Sequence, residues 1–194
     1  QIEVENMERV ELEKAPKIAV YSPNSHEPWD DAVTLALTYA EIPYAQVWDE
    51  EVLTGDLNEF DWLHCHHEDF TGQYGKFYAA FRNAVWYQAD VALNEELARS
   101  LGYTKVSEMK RDVALTIYDY VRRGGFLFSM CSAPETIDIA LAAAGVDICP
   151  TAFDGDPVDP QAQQQLDYSA TFAFENFTLV FDPMLYRHSN IDTY

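Results

Sequence analysis

The sequence lacks three features that would each point to a different kind of protein. No apolar run among its 194 residues approaches the roughly 18 residues that a membrane-spanning helix needs. It has only three cysteines, Cys65, Cys131 and Cys149, whose odd number and spacing match neither a disulfide framework nor a zinc finger. Basic residues are scarce, with 12 Lys and Arg against 33 Asp and Glu and a formal net charge of −21. Nucleic acid and anionic membrane surfaces are therefore poor partners, because phosphate binding needs clustered positive charge.

The composition favours one packed, soluble domain. Hydrophobic residues make up 48% of the chain, which is enough for a sizeable core. The acidic balance has two interpretations: a surface that favours solubility, or adaptation to a saline environment. No signal peptide is visible, but the sequence starts at Gln1. A cytoplasmic location and a periplasmic or secreted one both stay open, as do a small-molecule ligand, a protein partner and a homo-oligomer.

Strand and helix patterns alternate along the chain. Residues 1–16 form a charged tail or a leading strand, and residues 17–194 form a single domain. The alternation predicts an α/β fold with a doubly wound, mostly parallel sheet. The predicted strands are 18–21, 45–48, 60–66, 126–130 and 146–149, and the predicted helices are 30–41, 76–101, 106–123 and 133–144. Segments 171–174 and 177–181 flank a turn and predict a C-terminal β-hairpin.

Two of these patterns carry more specific predictions. Segment 126–130 is continuously apolar, as expected of a central strand that is covered on both faces. Four-residue steps place Met109, Val113, Ile117 and Val121 on one apolar helix face. The preceding helix is predicted to carry Phe77, Phe81, Val85 and Leu93.

The turn around Cys131 carries the most chemistry. An apolar strand ends at Cys131, and Pro134 suits the first turn of the helix that follows. The residues two before and two after it, Ser129 and Ala133, are small, as a nucleophile elbow requires. Ser132 is a candidate helix cap, and the helix start would favour a thiolate. The alternative is a buried structural cysteine at the end of a core strand.

This turn, Ser129-x-Cys131-x-Ala133, resembles the Gly-x-Cys-x-Gly elbow of class I glutamine amidotransferases. Segments 28–41, 66–78 and 153–157 resemble a bacterial family that carries the label asparagine synthetase B, and the resemblance covers about residues 17–192. The resemblance implies a flavodoxin-like fold of the class I glutamine amidotransferase kind. It also implies that Cys131 attacks an amide or related bond. The family extends further, so a chain truncated at its C-terminus is expected.

The resemblance has two departures. ATP-dependent asparagine synthetases use an N-terminal Cys on another fold, whereas this chain starts at Gln1 and has no nucleotide-binding loop, so that activity is not expected. Class I amidotransferases also activate their Cys with a late His-x-Glu pair. The only late histidine is His188, which Ser189 and Asn190 follow. A non-catalytic small-molecule, carbohydrate-binding or assembly module that keeps the fold without the base is therefore the alternative function.

A histidine-rich segment, His64-Cys65-His66-His67-Glu68-Asp69, ends the third predicted strand. It allows three interpretations: a zinc site, a polar rim of the sheet, or a base for Cys131 at the same crevice. The predicted catalytic residues are Cys131, His66 and His67, and the predicted oxyanion or substrate-binding residues are Ser132, Gly72, Glu68 and Asp69. No metal and no cofactor are predicted.

An acidic loop follows the last predicted strand. Asp154, Asp156 and Asp159 could offer oxygen ligands to calcium. No bidentate Glu follows at a suitable distance, so a solvated turn is favoured.

Overall fold

The computed structural model describes residues 15–23 and 32–191. Within these ranges the chain is an α/β domain around one four-stranded, all-parallel sheet in the order β2-β1-β3-β4. The strands are β1 (Ile18–Tyr21), β2 (Tyr44–Val47), β3 (Trp62–Cys65) and β4 (Phe126–Ser129). The helices are α1 (Ala32–Tyr39), α2 (Asp49–Thr54), α3 (Tyr78–Phe81), α4 (Val85–Ser100), α5 (Val106–Arg122), α6 (Ala133–Ala142) and α7 (Thr151–Asp154). The α/β class and the parallel sheet of the sequence prediction are confirmed.

Helices pack on both faces of the sheet, as expected for a doubly wound fold. The alternation of side chains along β1 sends Ala19 and Tyr21 to one face and Ile18 and Val20 to the other. The first face carries the main core, which α2, α5 and α6 cover. On the second face, Leu37 of α1 packs against Ile18 and Val20.

Helix α5 follows its predicted periodicity. Met109, Val113 and Ile117 are fully buried, and Val121 is partly buried against the same core. Burying three large apolar side chains stabilises the fold by about 1.5–3 kcal/mol for each one. The predicted apolar face of this helix is therefore confirmed.

The prediction that β4 is a central strand is wrong. Among the described residues β4 pairs with β3 alone, so it forms one edge of the sheet. Its side chains Phe126 and Phe128 are 57% and 42% exposed. An unbroken apolar run predicts a strand that is buried on both faces, but here the second face of β4 carries no described helix.

The predicted strand at 146–149 does not form, and β4 has no outer neighbour among the described residues. Ile148 and Cys149 are buried, as their apolar character suggested. The backbone instead bonds locally around Asp147, whose carboxylate accepts from Cys149 N at 2.9 Å and whose carbonyl accepts from Asp159 N at 2.9 Å. Pro150 follows and cannot donate to a ladder.

The predicted C-terminal hairpin is not found either. The backbone N–H groups of residues 172–174 all donate to the buried carboxylate of Asp138, at 2.7–2.8 Å. Segment 177–181 instead meets the later segment 188–190, through a bridge between Leu179 and Ser189. A side-chain acceptor in α6 thus competes successfully with the predicted strand partner.

The predicted helix 76–101 is broken into shorter elements. A 3₁₀ turn at Tyr74–Lys76 and the one-turn helix α3 precede α4, whose N-cap Ala84 is extended, with φ −76° and ψ 139°. The break changes the buried face: Val85 is 83% exposed, whereas Tyr87 is buried. Phe81 and Leu93 are both more than 40% exposed.

Several predictions fall partly or wholly outside the described residues. These are the tail or leading strand at 1–16, of which only 15 and 16 are described, and the first two residues of the predicted helix 30–41. No helix in the described ranges combines the length and the apolar character needed to cross a membrane.

Candidate functional site

The sheet has a topological switch point between β1 and β3. The chain leaves β1 towards β2 on one side, while β3 leads to β4 on the other side. In open parallel sheets, connections that diverge in this way leave a crevice outside the carboxyl ends of the two strands, and ligands bind there. The fold therefore predicts the position of a site without reference to any particular residue.

A crevice of about 440 Å³ lies at this position. Its walls come from the ends of the strands, the loop after β3, and the helices α1, α4 and α5. The lining residues are Val20, Tyr21, Ser22, Pro23, Thr34, Gln46, Trp48, His67, Glu68, Asp69, Gly72, Tyr74, Gly75, Phe77, Trp86, Asp90, Asn94, Val106 and Lys110. Aromatic side chains and a few convergent polar groups thus surround a concave space, as in small-molecule sites of proteins.

The floor of the crevice is a buried ion pair. Lys110 Nζ lies 2.7 Å from Asp49 Oδ2, and these side chains are 6% and 0% exposed. The same ammonium group donates to Tyr21 Oη at 3.3 Å and lies 3.9 Å from the ring centroid of Trp48. Tyr21 in turn donates its hydroxyl hydrogen to Asp49 Oδ1. Burial, followed by the charge of Asp49, raises the pKa of Tyr21 well above its ordinary value, so the phenol stays neutral.

Asp69 organises the loop that forms one wall. Its carboxylate accepts from Thr71 N at 2.7 Å, Thr71 Oγ1 at 2.6 Å, Gln73 N at 3.0 Å and Gly75 N at 2.8 Å. His188 Nε2 lies 3.3 Å from Asp69 Oδ2. Burial alone raises the pKa of a carboxyl, but His188 and the hydrogen bonds from Thr71 and Gly75 hold the pKa of Asp69 well below its usual range. Asp69 is therefore an ionised anchor for this loop.

The loop held by Asp69 has an unusual backbone. Three consecutive residues, Tyr74, Gly75 and Lys76, have φ values of 51°, 64° and 60°. Left-handed conformations are disfavoured for non-glycine residues and persist where the surrounding structure enforces them. The strained run places the ring of Tyr74 and the backbone of Gly75 in the wall of the crevice.

Gly72 has a structural role in the same loop. Its φ is +75°, and a Cβ atom there would lie 2.6 Å from the Cα atom of Ser107 at the start of α5. The missing side chain therefore lets the loop approach α5. Gly72 also lines the crevice, so its predicted role at the site stays a prediction beside this packing role.

Lys76 joins this loop to the C-terminal segment. Its side chain is buried, and Nζ donates to the carbonyl oxygen of Val180 at 2.6 Å. Burial lowers the pKa of Lys76 to about 8, although the nearby charge of Asp69 acts in the opposite direction. A second hydrogen bond, from Ser189 Oγ to Glu135 Oε1 at 2.6 Å, links the C-terminal segment to α6. These bonds and His188 fasten the C-terminal segment behind the crevice wall.

Cys131 occupies a tight turn outside this crevice. It is exposed, has a φ of 57°, and is not among the residues that line the crevice. Ala133 N donates to His66 O at 3.2 Å, which places the turn beside the end of β3. Ser132 takes the predicted N-cap position but its side chain makes no capping bond, while Pro134 lies in the first turn of α6 as predicted.

The three neighbouring histidines have different environments. His64 is fully buried and stacks on Phe128, with 5.6 Å between ring centroids. His66 donates its backbone N–H to Glu68 Oε2 at 2.7 Å, and its ring lies 4.8 Å from that of His67. His67 lines the crevice. Of the predicted site residues, the structure thus gathers His67, Glu68, Asp69 and Gly72 at the crevice, and places Cys131, Ser132 and His66 at the adjoining turn.

Lys105 lies at the centre of the acidic loop. Its Nζ is 2.8 Å from Asp147, 3.2 Å from Asp154 and 2.6 Å from Asp156. Although partial burial opposes it, the hydrogen bonds that Lys105 donates to the three carboxylates raise its pKa. These are also the only three His, Cys, Asp or Glu side chains in the described ranges whose ligand atoms come close enough to share a metal. Asp159, the third predicted member, instead caps the backbone N–H of Gln161.

Comparisons of the chain with protein-family models, curated proteins and solved structures found no match. The resemblance to the amidotransferases stays a prediction drawn from the residues around Cys131 and from segments 28–41, 66–78 and 153–157. The geometry of the crevice and of the Cys131 turn is therefore the basis for a functional assignment.

Sequence reasoning missed the floor of the crevice. Asp49, Lys110 and Tyr21 come from three elements that are distant along the chain, and no local pattern connects them. One signal was present: Lys110 stands three, four and seven residues before Val113, Ala114 and Ile117, on the buried stripe of α5. A lysine in such a stripe indicates a buried charge that needs a partner.

Proposed function

We propose that this domain binds a small organic molecule in the crevice between the ends of β1 and β3. The observation that carries the proposal is a 440 Å³ cavity at the topological switch point, lined by aromatic rings and convergent polar groups. Its volume lies within the range of about 300–1,000 Å³ that is typical of ligand sites. Its position is the one that open parallel sheets use for ligands.

The chemistry of the lining supports binding rather than covalent catalysis at this place. None of the three cysteines lines the crevice, and Cys65 and Cys149 are buried. Burial raises the pKa of both buried thiols, which disfavours their reactive thiolate form. Lys110 is engaged with Asp49, and Asp69 is engaged with its own loop. These groups give a preformed, rigid wall rather than an obvious nucleophile with its base.

Fluorine NMR of protein labelled with 5-fluorotryptophan tests the proposal. Trp48 and Trp86 line the crevice, whereas Trp62 begins β3 at the opposite end of the sheet and serves as an internal control. Substitutions of single tryptophans assign the signals. The compounds tested are small cations, anions and neutral polyols. We expect some of them to shift the fluorine signals of Trp48 and Trp86 saturably and to leave the signal of Trp62 unchanged. If no class shifts the crevice signals at millimolar concentration, the binding function is rejected.

A second candidate function is hydrolysis of an amide or related bond by Cys131. It is supported by the exposure of this thiol and by its φ of 57° between β4 and α6, because nucleophile elbows hold their nucleophile in a strained, exposed turn. The thiolate would attack the carbonyl carbon, the amine would leave with a proton, and water would hydrolyse the thioester.

Turnover of an activated ester tests this second function. Wild-type protein should release the alcohol and accumulate an acyl group that intact-mass analysis maps to Cys131. Cys131→Ser should abolish both effects, and Cys149→Ser serves as the control. Equal rates for Cys131→Ser and the wild type would exclude thiol catalysis and leave the binding function intact.

A further inference from the structure

The charge of the crevice is predominantly negative. Among the described residues, three carboxylates line it, those of Glu68, Asp69 and Asp90, of which Asp69 also lies 3.3 Å from His188. Lys110 is the only Lys or Arg that lines it in the described part of the chain, and its charge is compensated by Asp49 at 2.7 Å. A cleft lined by one sign of charge concentrates ligands of the opposite sign and repels anions.

The aromatic lining adds surfaces that attract cations. Trp86 lines the crevice and is half exposed, and Phe77 and Tyr74 line it too. The face of an indole or phenyl ring carries negative electrostatic potential and binds ammonium and guanidinium groups. The floor already shows this chemistry within the fold, because the ammonium group of Lys110 lies over Trp48 at 3.9 Å.

We propose that the ligand of the crevice is a small organic cation, such as an alkylammonium compound, held between the aromatic rings and the carboxylates. This inference rests on the proposed binding function and adds the class of ligand. A bare metal ion fits less well, since aromatic rings make up much of the wall. In the described ranges, the only group of carboxylates close enough together to hold a metal ion lies elsewhere, around Lys105. An anion is disfavoured by the carboxylates.

Choline and its uncharged isostere 3,3-dimethylbutan-1-ol provide the test, because they share shape and differ in charge. Choline is expected to shift the fluorotryptophan signals of Trp48 and Trp86 with an affinity about tenfold higher than that of the alcohol. The affinity should fall as ionic strength rises, since screening weakens attraction to partly exposed carboxylates. Glucose and acetate represent the neutral and anionic classes.

Two matched variants locate the effect. Asp90→Asn removes one crevice charge from α4 with little change of shape and should weaken choline binding at least threefold. Glu96→Gln makes the same change at an exposed position of α4 that does not line the crevice, and it should leave the affinity unchanged. Fluorine spectra of both free variants confirm that the fold is retained.

The outcomes separate the two proposals. Equal binding of choline and the alcohol, tighter binding of glucose or acetate, or no binding of choline would overturn the inference about charge. In each of these cases, a shift of the crevice tryptophans by any compound still supports the binding function. If no compound of the panel shifts them, the binding function itself fails.

Discussion

The ion pair at the floor of the crevice gives the most direct test of the structure. Asp49 is completely buried, and Lys110 Nζ is 2.7 Å from its Oδ2 atom. Lys110→Met keeps most of the side-chain volume but leaves a buried carboxylate with only the hydroxyl of Tyr21 as a described side-chain donor. Removing one partner of a buried pair costs about 3–5 kcal/mol, a large share of a typical unfolding free energy of about 5–15 kcal/mol.

Urea denaturation measures this cost. We expect Lys110→Met to lower the midpoint without changing the slope, which reports the surface exposed on unfolding. The double variant Lys110→Met/Asp49→Asn should recover at least half of the loss, because no uncompensated charge remains. Arg99→Met is the control, since its pair with Glu95 is exposed, spans 3.9 Å and should contribute at most about 1 kcal/mol. If Lys110→Met costs no more than Arg99→Met, the buried pair does not exist as described.

Four further predictions follow from single residues. Asp69→Asn should destabilise the protein at pH 7 and make its stability depend less on pH in the acid range. The reason is that a carboxyl with a depressed pKa stabilises the fold above about pH 4 and loses that contribution as pH falls. Urea titrations from pH 2 to 7 measure this, and an unchanged dependence of stability on pH would contradict it. Lys76 has a pKa of about 8 in the fold and 10.5 ordinarily, so the unfolded chain binds more protons between these values and stability should rise with pH there. Lys76→Met should remove that rise, measured as the difference from wild type. Gly72→Ala should lower the midpoint of thermal unfolding more than Gly102→Ala does. Both glycines have a positive φ, but only at position 72 would a Cβ atom meet backbone atoms. Equal decreases in the midpoint would argue against the close approach of the loop to α5. Limiting iodoacetamide should label Cys131 before the two buried cysteines, as read by peptide mass spectrometry, and preferential labelling of either buried thiol would refute its exposed position.

Local patterns predicted most of the individual elements. The apolar run at β1 and the four-residue steps of α5 correspond to elements that form with those bounds or within one residue of them. Pro134 marked the start of α6 because its fixed φ suits a first helical turn. Such features depend on interactions between residues that are close in sequence, and a single sequence displays them directly.

Elements that depend on competition between partners were predicted less well. Ile148 and Cys149 are apolar and buried, yet the N–H group of Cys149 donates to the carboxylate of Asp147 rather than to a neighbouring strand. Segment 171–174 has strand-like composition, but the carboxylate of Asp138 takes its N–H groups. In both cases a side-chain acceptor supplies the hydrogen bonds that a strand would have needed.

The sequence by itself determined the α/β class, the parallel sheet, and the positions of the histidine-rich segment at the end of β3 and of Cys131 after β4. Only the tertiary structure decided that β4 is an edge strand, that Lys110 meets Asp49 and Tyr21, and that His188 reaches Asp69. These contacts join residues that are about 60 to 120 positions apart. They follow from strand order and from the packing of helices on the sheet, which no pattern of nearby residues encodes.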